Sequence, residues 1–66
     1  MITADVVIAG SVIIEKNAYI ALGAVIRNQL IIGENSLVGM GAVVVASVER
    51  NKVVAGVPAK VIRENE

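Results

Sequence analysis

Set out in sixes, residues 2–44 read ITADVV IAGSVI IEKNAY IALGAV IRNQLI IGENSL VGMGAV V. The leading positions are Ile2, Ile8, Ile14, Ile20, Ile26, Ile32, Val38 and Val44, and all eight are β-branched aliphatics. A helix repeats every ~3.6 residues and an isolated strand every ~2, so neither requires a strict six. A sustained period of six calls for a unit that runs straight, turns and starts again.

The other columns agree. Four places after each aliphatic stand Val6, Val12, Ala18, Ala24, Leu30, Ser36, Ala42 and Val48, small or medium residues that suit a second inward position. Just before those stand Asp5, Ser11, Asn17, Gly23, Gln29, Asn35, Gly41 and Ser47, mostly types that tolerate turns or positive φ. Each hexad therefore reads as a short strand centred on the aliphatic, followed by a corner. A Val/Ile-rich sandwich with irregular turns has no reason to keep such a period. One hexad cannot bury its inner face alone, but stacked coils can, with parallel strands about 4.7–4.9 Å apart.

With three hexads to a triangular coil, residues eighteen apart stack. One face then carries Ile2, Ile20 and Val38, the next Ile8, Ile26 and Val44, and the third Ile14 and Ile32. One corner stacks Asp5, Gly23 and Gly41; another sets Asn17 against Asn35, where side-chain amides can ladder. The fold class is all-β, a parallel β-helix. Residues 2–49 hold eight hexads, fewer than three full coils. Handedness does not follow from the period, since parallel crossovers are normally right-handed.

The period stops near Glu49. This divides the chain into a repeat region, 1–49, and an extended C-terminal tail, 50–66. In the tail, Val53–Val54 and Val61–Ile62 are expected as short extended pieces around a turn at Gly56–Pro58. The charged end from Arg63 to Glu66 is expected to fray.

Six Lys+Arg balance six Asp+Glu, so no net charge argues for nucleic acid or a charged membrane surface. Uninterrupted apolar stretches reach five residues, as in Ala42–Ala46, against the ~20 of a membrane span. No basic region followed by an apolar core and cleavage site opens the chain, and there is no Cys, which indicates a cytoplasmic location. There is also no His, and Tyr19 is the one aromatic. A domain this short buries only about 60% of its unfolded surface, so association is expected to add stability.

From Ile31 to Ile62 the chain reads IIGENSLVGMGAVVVASVERNKVVAGVPAKVI. This stretch resembles the C-terminal end of the hexapeptide-repeat acyltransferases, most of all the sialic acid O-acetyltransferase and bacillosamine N-acetyltransferase group. Gly39-Met40-Gly41-Ala42-Val43-Val44 and Val53-Val54-Ala55-Gly56-Val57-Pro58-Ala59-Lys60 carry the match. The resemblance implies a left-handed β-helix, a homotrimer, and acetyl transfer from acetyl-CoA to a sugar hydroxyl or amine. It implies a cofactor lying between subunits along the C-terminal coils, and a His as general base. The chain has no His, and it has Val45-Ala46-Ser47 where the family usually has Thr-Lys-Asp. No catalytic residue is therefore assigned.

By this resemblance the cofactor-binding candidates are Ala21, Gly23, Gly39, Gly41, Pro58, Lys60 and Arg63. Gly23 and Gly41 have two readings: they serve the corner by positive φ, or their missing side chains admit the cofactor to the backbone. Gly39 flanks a strand with Thr3 and Ala21, as part of an open cofactor strip or as hexad habit. Pro58, Lys60 and Arg63 either approach the nucleotide end of CoA, where two cations would meet phosphates, or form a solvated tail. Asp5, Glu15 and Glu34 are isolated carboxylates without a second ligand type, so no metal site is expected.

The outward columns Val7–Val25–Val43, Ile13–Ile31 and Tyr19–Leu37 reflect strand propensity or an interface. At least one is expected to pack on a neighbouring subunit, in a cyclic assembly. The first coil presents Ile2, Ile8 and Ile14 at an open end, expected to be covered by another subunit through end-to-end stacking of trimers. Two functions stand at this point: an acyltransferase-like module that binds acetyl-CoA and lacks the usual base, or a non-catalytic structural and assembly module. A weaker third is an enzyme with Glu15 as base.

Overall fold

The computed structural model describes residues 1–65, and every regular element in it is a strand. Seven two-residue strands follow one another at six-residue steps: β1 (Val7–Ile8), β2 (Ile13–Ile14), β3 (Tyr19–Ile20), β4 (Val25–Ile26), β5 (Ile31–Ile32), β6 (Leu37–Val38) and β7 (Val43–Val44). Two longer strands close the chain, β8 (Lys52–Ala55) and β9 (Lys60–Glu64). The strands form three parallel faces, β3-β6-β8, β1-β4-β7 and β2-β5, with β9 added antiparallel to β8. The register sets Ile8 on Ile26 on Val44, Ile14 on Ile32, and Ile20 on Val38 on Val54, while single bridges add Ile2 to Ile20 and Val48 to Ile32. The eighteen-residue stack read from the repeat is thus the observed one.

The corners explain why the strands are so short. The amides of Ala18, Ala24, Ser36 and Ala42 each donate to the carbonyl three residues earlier, at 3.2–3.3 Å. The third residue of each of these turns has positive φ: Asn17, Gly23, Asn35 and Gly41, at 58–73°. A single positive φ at that position is the type II turn. Asp5, Ser11 and Gln29 share the conformation, so seven of the eight residues in the corner column adopt it. Ser47 does not, which marks the place where the period fails.

Inward residues form the core. Ile20, Ile26, Ile32 and Val38 are fully buried, with Ala18, Ala24, Ala42, Val44, Val48 and Val54 packed among them. Fully burying an Ile or Val stabilises by about 1.5–3 kcal/mol. Ser36 lies in the same inward column with no exposure, and its hydroxyl donates to the Gly33 carbonyl at 2.6 Å. That bond supplies the partner a buried hydroxyl requires.

The expected boundary at residue 49 marks the end of the six-residue period but not of the coil. Val38 pairs with Val54, a step of sixteen (54 − 38) in place of eighteen. Asn51, at φ 59°, takes the corner above Asn35 with the same shortened step, and its amide donates to Glu34 at 2.8 Å. The molecule is two full eighteen-residue coils and a shortened third. The Asn column is held through its backbone, with the Asn35 amide donating to the Lys16 carbonyl at 3.1 Å. Among the described residues no hydrogen bond joins the amides of Asn17 and Asn35 into a ladder.

The charged end does not fray through Asn65. Arg63 and Glu64 lie in β9, the Asn65 amide donates to Asn51, and its Nδ2 donates to the Asn35 carbonyl, both at 2.8 Å. A Lys52–Glu64 ion pair at 3.2 Å flanks the strand pair. Glu66 lies outside the described residues. The turn between β8 and β9, which includes a cis Val57–Pro58 bond, crosses the end of β7: Val43 donates to Gly56 and Ala59 donates to Val43. Residues 47–51 close the third face in the same way, with Gly33 donating to Val48 and Val48 to Ile31. The C-terminal end of the coil is therefore capped on all three faces.

Candidate functional site

The corner joining the β3-β6-β8 face to the β1-β4-β7 face is built from residues 21–24, 39–42 and 55–59. Register places Ala21, Gly39, Ala55 and Lys60 in one column across β3, β6, β8 and β9. Gly23 and Gly41 form the adjoining corner column, and the turn containing Pro58 continues it. Six of the seven residues expected to meet a cofactor thus share one corner. Arg63 does not: it pairs with Val53, three residues along β9 from Lys60, a separation of about 10 Å at strand rise. Its guanidinium donates to the Glu64 carbonyl at 3.3 Å. The two cations are not gathered as a pair.

Both glycine readings sharpen. Gly41 has φ 67° and open space where a Cβ would point; Gly23 has φ 73° and only the Gly41 amide at 4.0 Å. They meet the needs of the turn and leave the corner bare. Gly39 is not part of an open strip within the chain. A Cβ there would lie 3.1 Å from the Ala55 Cβ and 3.4 Å from the Val54 carbonyl oxygen, so Gly39 lets β8 settle onto β6. Its amide donates to Val54 at 2.8 Å.

The amides of the four small residues are already used inside the stack: Ala21 to Val38, Gly23 to Ala4, Gly39 to Val54 and Gly41 to Leu22, at 2.8–3.2 Å. A ligand seated at this corner would therefore meet shape and apolar surface more than these N–H groups. Its surface suits that role. Leu22 and Met40 stand at the turn tips with Val57 beyond them, and Met40 and Val57 are each 73% exposed. Spacing alone carried this signal, since Ala4, Leu22 and Met40 are eighteen apart in the column before Asp5, Gly23 and Gly41.

A different concavity lies on the opposite side. An open groove of about 520 Å³ is lined by Glu15, Ile31, Gly33, Ser47, Val48, Glu49 and Arg50. It contains none of the seven expected residues. Its floor is Gly33, where a Cβ would lie 2.5 Å from the Arg50 nitrogen and 2.7 Å from the Val48 oxygen. Glu15, the candidate base, accepts a hydrogen bond from the Glu34 amide at 3.2 Å. No cluster of His, Cys, Asp and Glu suited to a metal occurs among the described residues. No helix among them is long and apolar enough to cross a membrane.

No family model and no curated protein matches the sequence, but solved structures match closely. Serine acetyltransferase from Brucella abortus, in complex with coenzyme A, superposes with a TM-score of 0.94 at 33% identity, over 98% of this chain and 29% of that one. This chain has the left-handed parallel β-helix fold. PerB from Caulobacter crescentus, in complex with CoA and GDP-perosamine, matches with a TM-score of 0.89 at 32% identity, over 91% of this chain and 29% of that one. A hexapeptide-repeat acetyltransferase from Vibrio cholerae, complexed with acetyl-CoA, matches with a TM-score of 0.81 at 31% identity, over 83% and 30%. The structural neighbours of this β-helix are hexapeptide-repeat acetyltransferases, several of them holding CoA or acetyl-CoA. The 66-residue β-helix spans under a third of their length.

Proposed function

We propose that this β-helix is an acyltransferase-like module that binds coenzyme A or its acetyl thioester along the corner of Ala21, Gly23, Gly39, Gly41, Pro58 and Lys60. The observation that carries the reading is the convergence of those six residues on one bare corner. The CoA-bound neighbours support it. The bare glycines would admit the pantetheine arm, Leu22 and Met40 would cover its apolar side, and Lys60 would meet phosphate. Bound CoA supplies a thioester-activated acyl group. A corner of a triangular prism is convex, so a groove there needs a second wall. A homotrimer supplies one, with an outward column such as Val7–Val25–Val43 packed on the next subunit.

By resemblance, the acceptor class is a sugar hydroxyl or amine. The chain offers no His to deprotonate it, so the module binds without the usual base. Titration of the purified chain with acetyl-CoA tests the reading: heat and a thermal upshift at millimolar ligand are expected, reduced about tenfold in affinity by Lys60→Ala through loss of a charge-assisted contact. No heat and no upshift in an associated sample would sink it.

That second outcome belongs to the alternative function, a structural and assembly module without cofactor. The internal use of all four corner amides favours it.

A further inference from the structure

The groove on the β2-β5 face takes no part in the cofactor reading, and its lining has a chemistry of its own. Register sets Glu15, Gly33 and Glu49 in successive layers, because each follows one of the paired inward residues Ile14, Ile32 and Val48. Strands in a ladder lie about 5 Å apart, so the two Glu backbones stand about 10 Å apart with a bare Gly between them. Glu15 leans into that gap: its Oε1 accepts from the amide of Glu34, the residue after Gly33, at 3.2 Å. Arg50 closes one side, with its backbone nitrogen 2.5 Å from where a Gly33 Cβ would be. Ile31, 45% exposed, supplies an apolar wall, and the Ser47 Oγ accepts from the Ile31 amide at 3.0 Å.

The charges and donors of this groove are not consumed within the chain. Lys52–Glu64 is the one ion pair among the described residues, so Glu15, Glu49 and Arg50 have no charged partner there. Val48 and Asn51 donate to carbonyls of the coil below, but the amides of Glu49 and Arg50 between them donate to no backbone carbonyl among the described residues.

We propose that the groove is a binding site for a free aliphatic α-amino acid. Its ammonium sits over Gly33 between the Glu15 and Glu49 carboxylates, its carboxylate meets the Arg50 guanidinium and the unused loop amides, and its side chain lies on Ile31. The mixed charge selects this class. An amine alone leaves Arg50 unanswered, and a carboxylate alone faces two like charges. A guanidinium holds a carboxylate through two parallel hydrogen bonds, which fixes the ligand's orientation as well as its sign. The volume of about 520 Å³ lies within the ~300–1,000 Å³ of small-molecule sites. The site stands independently of the cofactor corner, which joins the other two faces, and no acyl transfer is assigned to it.

Amide NMR of the ¹⁵N-labelled 66-residue chain, titrated with L-leucine into the millimolar range, tests the proposal. Saturable shifts of the Ile31, Gly33, Glu49 and Arg50 amides are expected, while the Gly23 and Gly41 amides of the cofactor corner hold still. Isoamylamine and isocaproate, each lacking one of leucine's charges, should bind at least about tenfold more weakly, through loss of one charge-assisted contact. Glu15→Gln keeps an oxygen to accept from Glu34 but removes the charge, and Glu49→Gln alters an exposed side chain. Each should weaken leucine about tenfold and leave the rest of the spectrum in place. Absence of saturable shifts at these amides would overturn the proposal, and so would leucine binding no tighter than both single-charge analogues. If either variant fails to fold, the three ligands compared on the unaltered chain still decide.

Discussion

Gly33→Ala probes the way the irregular third coil is held on the regular second one. The added Cβ would lie 2.5 Å from the Arg50 nitrogen and 2.7 Å from both the Glu49 carbonyl carbon and the Val48 oxygen. All three are backbone atoms, so no side chain can swing aside. Relief requires lifting residues 48–50, which the Gly33–Val48, Val48–Ile31 and Asn51–Glu34 bonds hold at 2.8–2.9 Å. Overpacking costs about 1–3 kcal/mol, and each weakened hydrogen bond adds about 1 kcal/mol. A loss of about 2–4 kcal/mol is expected. That is a large part of the ~3–10 kcal/mol available to a chain of this length. Gly10→Ala is the control, since nothing lies within 4 Å of its Cβ; it should be neutral or slightly stabilising, by up to about 1 kcal/mol. Urea unfolding followed by far-UV circular dichroism measures both. If Gly33→Ala loses no more than Gly10→Ala, the account of the cap is wrong.

Asn51→Ala should cost about 1–2 kcal/mol, and Asn51→Gly less, because φ 59° strains residues with a Cβ; thermal melts give the order. Ser36→Ala should lose about 1 kcal/mol in the same assay, as the buried hydroxyl's bond to Gly33 goes with it. Ile26→Ala, at full burial, should cost about 2–5 kcal/mol and leave much of the chain unfolded by circular dichroism. Gly41→Asn keeps the turn, since Asn tolerates positive φ, but fills the bare corner; unchanged stability with weakened acetyl-CoA heat in calorimetry is the expected pair.

The sequence by itself determined the three faces, the eighteen-residue stack, the inward columns and the positive-φ corners. That was possible because each hexad repeats the same local demand: an aliphatic to bury, a small neighbour, and a residue able to turn. Agreement among eight copies leaves one arrangement that buries all of them. The fate of residues 50–65 was only partly legible. Val53–Val54 and Val61–Ile62 were readable as extended, but not that the first pair would rejoin the coil after a sixteen-residue step. That choice depends on Asn51 turning above Asn35, on the bare Gly33 beneath Val48 and Arg50, and on Asn65 reaching back to Asn35 and Asn51. Such contacts join residues far apart in the chain and occur once, so no period announces them. The candidate site divides the same way. Its glycines stood in columns the repeat could name, whereas the separation of Arg63 from Lys60 and the closeness of Ala55 to Gly39 follow from the antiparallel return of β9 and the seating of β8, which only the tertiary structure decides.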